Sequence, residues 1–321
     1  MALHGSRYTR RTVLGMTGAA CLSACGPAPT PETPSATPPS GRFLTVRGRR
    51  VHYQTEGRGP DVILIHGASG NLRDFTFDLT GRLAPAYRVT AFDRPGLGYS
   101  EALSDRGDSP AAQAAQLDAA AGRLGIRRAV VLGHSYGAAV AMAWALNHPA
   151  RVAGVVTLAG VTMPWPGQLA PWYSMASTGL GSALVSAVAT EARARGALAR
   201  FFAPQPVPAG YADFVGIDLA LRPATLRASA RQVDSLRPSL VEMSARYPGL
   251  DLPVEVVHGT ADRTVGIDIH SRPLAARLPR ARLTALDGVG HMVHHAAPRA
   301  TRAAIDRAAA RAGLRRGAQS G

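Results

Sequence analysis

Three residue types that together perform acyl transfer occur in order along this chain. Ser135 lies in the pentapeptide Gly-His-Ser-Tyr-Gly at 133–137, Asp262 ends the run His-Gly-Thr-Ala-Asp, and His291 follows Gly290. A serine hydroxyl becomes a nucleophile when a histidine takes its proton and a carboxylate orients that histidine. The sequence therefore predicts Ser135 as nucleophile, His291 as general base and Asp262 as the orienting acid.

Each of these residues follows a short apolar run that is typical of a buried parallel strand. The runs are residues 129–132, 254–257 and 282–286. Because the carboxyl ends of parallel strands meet at one edge of a sheet, we expect the three side chains to lie there. Helix-forming residues 138–146 come directly after the serine motif. A strand, a sharp turn and a helix would expose the hydroxyl of Ser135 at the turn.

The rest of the chain alternates in the same way, which predicts a mostly parallel sheet flanked by helices. Further strands are expected at 43–46, 51–55, 62–65, 87–92 and 152–158, and helices at 72–83, 111–124, 269–278 and from Pro298. Between residues 161 and 250 the alternation breaks, and amphipathic pieces occur at 181–194 and 223–236. We therefore expect a core of residues 42–160 and 251–314, with a helical cap of residues 161–250 inserted after the sixth strand.

These motifs resemble those of the α/β-hydrolase family. The matching stretches are residues 66–70 (His-Gly-Ala-Ser-Gly), 94–100 (Arg-Pro-Gly-Leu-Gly-Tyr-Ser), 133–137, 258–262 and 290–291. The resemblance implies the α/β-hydrolase fold, the roles of Ser135, Asp262 and His291 given above, and an oxyanion hole formed by the backbone N–H groups of Ala68 and Tyr136. Serine rather than aspartate at the turn disfavours the haloalkane dehalogenases and epoxide hydrolases that share the fold.

The predicted function is a cofactor-free serine hydrolase that cleaves an ester-type bond of a small molecule through an acyl-enzyme. A carbon–carbon bond hydrolase and a cofactor-free perhydrolase use the same serine turn, and a catalytically silent binding protein could retain the fold, so these remain alternatives. Trp165 and Trp172 of the cap are candidate substrate-binding residues, because a cap covers the site that it borders. Packing within the cap is the alternative for both.

Other histidines are candidates for metal binding or for the pocket. His294 and His295 follow His291 closely, but neither a partner cysteine nor a His-Glu-x-x-His pattern accompanies them, so no metal site is predicted. His66 and His134 belong to the motif loops themselves and are expected to be structural or to line the pocket. Asp93 also ends a strand at the active edge, and we assign it to packing of the turn that follows.

The chain carries a formal net charge of +15, and every basic residue that contributes to it is an arginine. The absence of lysine excludes lysine Schiff bases and the P-loop lysine. The arginines are scattered and form no basic stripe interleaved with aromatic residues. We therefore predict no nucleic-acid partner.

The N-terminus has the pattern of an export signal. Arg10 and Arg11 form a twin-arginine pair, the apolar stretch 13–24 is too short to span a bilayer, and Leu-Ser-Ala-Cys at 22–25 resembles a lipobox. We expect a signal peptide of residues 1–24, lipid on Cys25, and an exported, envelope-located protein that contacts the membrane through that lipid. An ordinary secretory signal is the alternative. Residues 25–41, rich in proline, are expected to form a tether that buries nothing.

Replacement of Cys25 by serine tests the lipobox. The variant is expected to lose incorporation of labelled palmitate in the native host, because the thiol is the group that accepts the lipid. Cys21→Ser is the matched control, since Cys21 would leave with the signal peptide. Equal labelling of the two variants would contradict the prediction.

Overall fold

The computed structural model describes residues 36–103, 109–167 and 171–314, with the side chains of Pro171 and Trp172 excepted. The predicted signal peptide, Cys25 and the first part of the predicted tether lie outside the described residues. No helix within the described residues is long and apolar enough to cross a membrane.

The centre of the molecule is an eight-stranded sheet in the order β1-β2-β4-β3-β5-β6-β7-β8. The strands are β1 (Arg42–Val46), β2 (Arg49–Glu56), β3 (Asp61–Ile65), β4 (Arg88–Phe92), β5 (Ala129–His134), β6 (Val152–Leu158), β7 (Val254–Gly259) and β8 (Ala281–Leu286). Strand β2 pairs antiparallel with both β1 and β4, and all other pairs are parallel. Strands β5, β6 and β7 are buried throughout, which explains why their sequences are apolar rather than alternating.

Helices cover both faces of the sheet. Those of the core are α1 (Arg73–Thr76), α2 (Leu79–Leu83), α3 (Pro110–Arg123), α4 (Tyr136–Asn147), α12 (Ser271–Arg277), α13 (Val293–Ala296) and α14 (Pro298–Arg311). Neighbouring strand residues point to opposite faces: Ile63 packs in one apolar cluster with α3 and α4, whereas Val62 packs in the other with α2 and α14. Burial on both faces fixes the register of the parallel strands.

The segment between β6 and β7 is helical, as the sequence predicts. Its helices within the described residues are α5 (Pro171–Ala176), α6 (Gly179–Val188), α7 (Glu191–Phe202), α8 (Tyr211–Val215), α9 (Ile217–Leu221), α10 (Pro223–Asp234) and α11 (Leu236–Arg246), followed by a 3-10 turn at Tyr247–Gly249. The expected fold class, a mostly parallel sheet flanked by helices with a helical cap after the sixth strand, is confirmed. We call this segment the cap.

Three predicted helices have different bounds in the structure. The helix expected at 72–83 is divided into α1 and α2, because Asp78 leaves the helical conformation with φ −150°. The piece expected at 181–194 is also divided: Thr190 is extended, and its hydroxyl caps α7 by accepting from the Arg193 N–H at 3.3 Å. The helix expected from residue 269 begins at Ser271.

The last residues of the predicted tether contact the folded chain. The Thr37 hydroxyl donates to Asp218 Oδ1 at 2.8 Å, and the Pro38 carbonyl accepts from Arg73 at 2.5 Å. The hydroxyl of Tyr99 donates to the carbonyl of Thr37. The described end of the predicted tether is therefore hydrogen-bonded to the folded chain, partly through backbone carbonyls, which accept hydrogen bonds whatever the side-chain composition.

The glycines that flank Ser135 are required by close backbone contacts. A Cβ on Gly137 would lie 2.2 Å from the carbonyl oxygen of Ile65, at the end of β3. A Cβ on Gly133 would lie 2.2 Å from the carbonyl oxygen of Gly137 itself. Both glycines of the Gly-x-Ser-x-Gly pattern are therefore required, because backbone packs directly against backbone at each of them.

Gly137→Ala is expected to lower the free energy of unfolding by about 2–4 kcal/mol, since the backbone must shift to admit the methyl group. Gly81→Ala is the matched control, because Gly81 is exposed in α2 and nothing lies within 4 Å of its Cβ position. That control should gain up to about 1 kcal/mol from helix propensity. Urea unfolding measures both, and an unchanged Gly137→Ala midpoint would refute the contact.

Candidate active site

Ser135 occupies the sharp turn between β5 and α4. Its φ of 53° and ψ of −119° lie in a region that non-glycine residues rarely adopt. Hydrogen bonds hold the turn: the Ser135 N–H donates to Leu158 O at 2.9 Å, and its carbonyl accepts from Ala138 and Val161, each at 3.1 Å. The strained backbone is thus fixed from both β6 and α4, and it carries the serine out of the strand at the carboxyl edge of the sheet.

His291 and Asp262 are directly hydrogen-bonded. The His291 Nδ1–H donates to Asp262 Oδ2 at 2.8 Å. The other carboxylate oxygen accepts from the backbone N–H groups of Thr264 at 2.7 Å and Val265 at 2.9 Å. Burial opposes ionisation of Asp262, but hydrogen bonds from His258 and His291 hold the pKa of its carboxyl well below its usual value. The carboxylate is therefore ionised and fixed in position.

His258 is a second histidine on the same carboxylate. Its Nε2 lies 3.1 Å from Asp262 Oδ2 and 2.8 Å from the carbonyl oxygen of Val265. A carbonyl can only accept, so we assign the ring proton to Nε2, and Nδ1 then accepts from the Ser271 hydroxyl at 2.6 Å. His258 stands in the His-Gly-Thr-Ala-Asp motif, but nothing in that motif indicates a contact with Asp262.

His134 joins the loop of His291 to the serine turn. Its Nε2–H donates to the carbonyl oxygen of His291 at 3.1 Å, and the two imidazole rings lie 4.9 Å apart. Since His134 directly precedes Ser135, this hydrogen bond attaches the segment that carries His291 to the segment that carries the serine. All three predicted catalytic residues lie at one edge of the sheet, on the loops that follow β5, β7 and β8.

The loop with Ala68 approaches the serine turn closely. A Cβ on Gly67 would lie 3.2 Å from the Cβ of Ser135. Ala68, the next residue, is exposed, and Ser69 adopts a φ of 54°. Tyr136, which follows Ser135, is the first residue of α4. Of the two predicted oxyanion donors, Tyr136 directly follows Ser135, and Ala68 directly follows Gly67, which approaches the turn.

Arg94 is hydrogen-bonded to the loop that contains Ala68 and lies in the protein interior. It is 0% exposed, and its guanidinium donates to the carbonyl oxygens of His66 and Gly67, each at 2.9 Å. It also lies 4.3 Å over the ring of Tyr136 and donates to Gln232 of the cap at 2.7 Å. The sequence placed Arg94 only in a turn motif, because nothing in that motif indicates that its side chain points inward.

His66 and Asp93 belong to the same buried framework. The His66 Nδ1–H donates to Gly67 O and its Nε2 accepts from the Arg94 N–H, both at 2.9 Å, so the ring is neutral. Burial, assisted by Arg94, lowers the pKa of His66 to about 4. Asp93 accepts from the backbone N–H groups of Leu72 at 2.7 Å and Tyr99 at 2.8 Å.

The cap contributes polar contacts to both loops of the site. The Gln205 side chain accepts from Gly290 N–H and donates to Gly288 O, each at 2.9 Å. These two hydrogen bonds hold the backbone just before His291. The Ser229 hydroxyl of α10 accepts from the Ser69 N–H at 3.0 Å. Sequence reasoning missed both residues, since neither stands in a recognisable motif.

The two predicted substrate-binding tryptophans are only partly described. Trp165 is half-buried, and its ring lies 6.4 Å from the ring of His270. It packs against the apolar cluster that includes α4. The side chain of Trp172 lies outside the described residues.

Asp74, His294 and His295 form a separate polar group beside the site. Ligand-type atoms of these three residues all lie within 4.8 Å of one another. This group could not be predicted from the sequence, because Asp74 is remote from the histidine pair along the chain.

The fold and the site define a protein with a strained serine between strand and helix and a hydrogen-bonded histidine–aspartate pair at the same sheet edge. The family model "Alpha/beta hydrolase family" matches residues 62–304. An uncharacterized Mycobacterium tuberculosis protein is 28% identical over 306 residues, covering 87% of each chain. A Pseudomonas putida 2-hydroxy-6-oxononadienedioate/2-hydroxy-6-oxononatrienedioate hydrolase is 32% identical over 149 residues, covering 44% of this chain and 51% of that protein.

Solved structures agree with this match. An alpha/beta hydrolase fold protein from Burkholderia ambifaria superposes with a TM-score of 0.70 and 25% identity, covering 82% of this chain and 96% of that one. The chain belongs to the alpha/beta hydrolase family.

Two buried histidines make the stability of the fold depend on pH. The pKa of His66 and of His270 is lowered to about 4, chiefly by burial. An unfolded chain binds protons at these rings from about pH 6.5 downward, so the free energy of unfolding should fall between about pH 6.5 and 4, by roughly 1–3 kcal/mol for each ring.

His270→Asn tests this linkage, because its amide oxygen can replace the ring Nδ1 that accepts from the Met163 N–H. Urea unfolding at several pH values should show a shallower pH dependence than in the wild type. His148→Asn is the control, since the His148 side chain is 32% exposed. Parallel profiles for all three proteins would contradict the expectation.

Proposed function

We propose that this protein is a serine hydrolase that cleaves an ester-type bond of a small molecule through an acyl-enzyme on Ser135. The observation that carries the proposal is the 2.8 Å hydrogen bond from His291 to the ionised Asp262, at the sheet edge where the strained Ser135 turn lies. An imidazole whose Nδ1–H is held by a carboxylate presents its Nε2 as a base.

In the proposed mechanism, Ser135 Oγ attacks the substrate carbonyl while His291 takes the hydroxyl proton. Asp262 stabilises the imidazolium that forms. The backbone N–H groups of Ala68 and Tyr136 receive the oxyanion, an interaction of about 2.7–4 kcal/mol per donor in related chemistry. His291 then gives the proton to the leaving alcohol, and water activated by the same ring hydrolyses the acyl-enzyme.

The surroundings favour an apolar acyl group. The ring of Phe201, which is 40% exposed, lies 6.3 Å from the ring of His291. Met292 packs with the cap residues Phe202 and Tyr211 in a small apolar cluster. We propose that substrate passes along this apolar part of the cap, with Trp165 and Trp172 as further candidate contacts.

A second candidate is hydrolysis of a carbon–carbon bond. It is favoured by the 32% identity to the Pseudomonas putida hydrolase named above. The same serine, histidine and aspartate would serve, with a ketone carbonyl in place of the ester carbonyl. The two candidates differ in the bond that is cleaved and in the shape of the pocket.

Ser135→Ala is expected to lower kcat for short-chain p-nitrophenyl esters by at least about 10³-fold and to abolish labelling by a fluorophosphonate probe, because both need the activated hydroxyl. Ser244→Ala is the matched control, since Ser244 lies on the cap helix α11 and its hydroxyl donates to the carbonyl oxygen of Val241 in the same helix. Wild-type and Ser135→Ala proteins that hydrolyse equally would refute the proposal.

The same pair of proteins distinguishes the second candidate. A vinylogous 1,5-diketone substrate absorbs strongly and loses this absorbance on cleavage of its carbon–carbon bond. Turnover of that substrate together with probe labelling, but without ester turnover, would favour the carbon–carbon hydrolase. An unlabelled wild type would favour a silent binding protein.

A further inference from the structure

Asp74 is a buried carboxylate that three donors share. Its Oδ1 accepts from His294 Nε2–H and His295 Nε2–H, each at 2.9 Å, and from the Tyr211 hydroxyl at 2.8 Å. The side chains of His294, His295 and Asp74 are 0%, 3% and 8% exposed. We call Asp74, His294, His295 and Tyr211 the Asp74 cluster. Its members come from α1, α13 and the cap helix α8.

The carboxylate of Asp74 is ionised. Burial opposes this, but the interactions with His294 and His295, hydrogen bonds included, hold the pKa of the carboxyl well below its usual value. Burial also lowers the pKa of His294, so this ring is neutral and carries its proton on Nε2. The cluster therefore contains one buried negative charge that accepts three hydrogen bonds.

The donors suit hydrogen bonding better than metal coordination. A metal-bound histidine donates the N–H of its other ring nitrogen to an acceptor, which orients the ring. Among the described residues, Nδ1 of His294 has no hydrogen-bond partner. A bare Nδ1 is the natural state of a ring that donates from Nε2, so the observed geometry is complete without a metal.

The Asp74 cluster adjoins the catalytic loop through His134. Nδ1 of His134 lies 3.8 Å from Asp74 Oδ2, and the His134 ring lies 4.8 Å from that of His294. The opposite side of the His134 ring donates to the carbonyl of His291 and lies 4.9 Å from the His291 ring. A single imidazole thus separates the buried charge of Asp74 from the proposed general base.

The same cluster binds the cap to the core. The Tyr211 hydroxyl bonds Asp74 at the start of α8, and at its other end the carbonyl oxygen of Val215 accepts from the Asn71 side-chain amide at 2.8 Å. The ring of Tyr211 packs on those of Phe202 and His295, each 4.9 Å away. Helix α8 is therefore tied at both ends to the segment that leads into α1.

We propose that Asp74 is a second functional carboxylate: its buried negative charge lies on the far side of the His134 ring from His291 and stabilises the imidazolium formed there during catalysis, while its hydrogen bond to Tyr211 joins the same carboxylate to the cap. Asp74 acts across the His134 ring and does not touch the reacting atoms. The inference rests on the proposed function, since it assigns His291 as the base.

The titratable groups that bear on this proposal come from several elements. Those around Asp74 and His291 are Asp262, His258, His134, His294, His295, Tyr211 and His66, and Arg94 and Asp93 in turn face His66. Of these, Asp262 is the carboxylate that contacts His291 directly. Asp74 adds to it from the opposite side of His134.

Asp74→Asn removes the negative charge of the carboxylate while keeping a side chain of the same shape. The amide oxygen can still accept from the three donors, and the amide N–H₂ can donate toward the bare Nδ1 of His134, so the cluster keeps its hydrogen bonds. We expect the fluorophosphonate labelling rate of Ser135 on its plateau to fall about 3- to 30-fold. The acid limb of the rate–pH profile should also move to lower pH, because the imidazolium loses a nearby negative charge.

Tyr211→Phe keeps the charge and removes the link to the cap. Its acid limb should remain at the wild-type pH, while KM for p-nitrophenyl esters rises. Asp78→Asn, at the surface pair with Arg82, is the control for loss of one carboxylate and should match the wild type. Circular dichroism and thermal unfolding check that each variant is folded.

The outcomes separate the two proposals. A labelled wild type whose rate and acid limb are unchanged in Asp74→Asn would overturn the role of Asp74 and leave the serine hydrolase intact. A wild type that is not labelled would refute the proposed hydrolase. The role of Asp74 would then be tested by NMR titration of the His291 ring, whose signals are assigned by their absence from the His291→Gln spectrum. An identical titration in Asp74→Asn would overturn the inference. Stoichiometric Zn²⁺ binding lost in Asp74→Asn would replace it with a metal site.

Discussion

The geometry of this protein depends on the turn at Ser135, where backbone packs against backbone with no room for side chains. Gly137 contacts the end of β3, Gly133 contacts Gly137, and the serine between them is held at positive φ. A residue in that conformation persists only where its surroundings fix it, and here β6 and α4 do so through three hydrogen bonds. The loop that follows β3 approaches this serine, and the loops that follow β7 and β8 lie at the same edge of the sheet, where His134 is hydrogen-bonded to the carbonyl oxygen of His291.

Around this turn, polar groups are fixed by buried hydrogen bonds rather than by loop stiffness. Arg94 holds the backbone of the Gly67 loop, His258 and two backbone N–H groups hold Asp262, and His134 holds the carbonyl of His291. Each group is removed from water, so loss of one partner would leave a polar atom unsatisfied at considerable cost. Such a framework keeps donors and acceptors in place before substrate arrives, which is the condition for electrostatic catalysis.

The cap is part of that framework. Gln205 grips the chain before His291, Ser229 binds Ser69, and Gln232 accepts from Arg94. Movement of the cap would therefore disturb the loops of the site as well as access to it. The alternation of strands and helices indicated that residues between β6 and β7 form an inserted helical segment, but the irregular spacing of its apolar residues gave no indication of which side chains reach the core.

The sequence by itself determined the class of fold and the loops of the site, because buried parallel strands are apolar runs and the Gly-x-Ser-x-Gly spacing is imposed by local backbone contacts. It also determined the order of Ser135, Asp262 and His291 along those loops. Only the tertiary structure decided the partners of Asp262, the inward direction of Arg94, the division of the helices expected at 72–83 and 181–194, and the meeting of Asp74 with His294 and His295. The physical reason is the distance along the chain: local pattern governs turns and strand burial, whereas a buried hydrogen bond joins residues up to 220 positions apart that no periodicity connects.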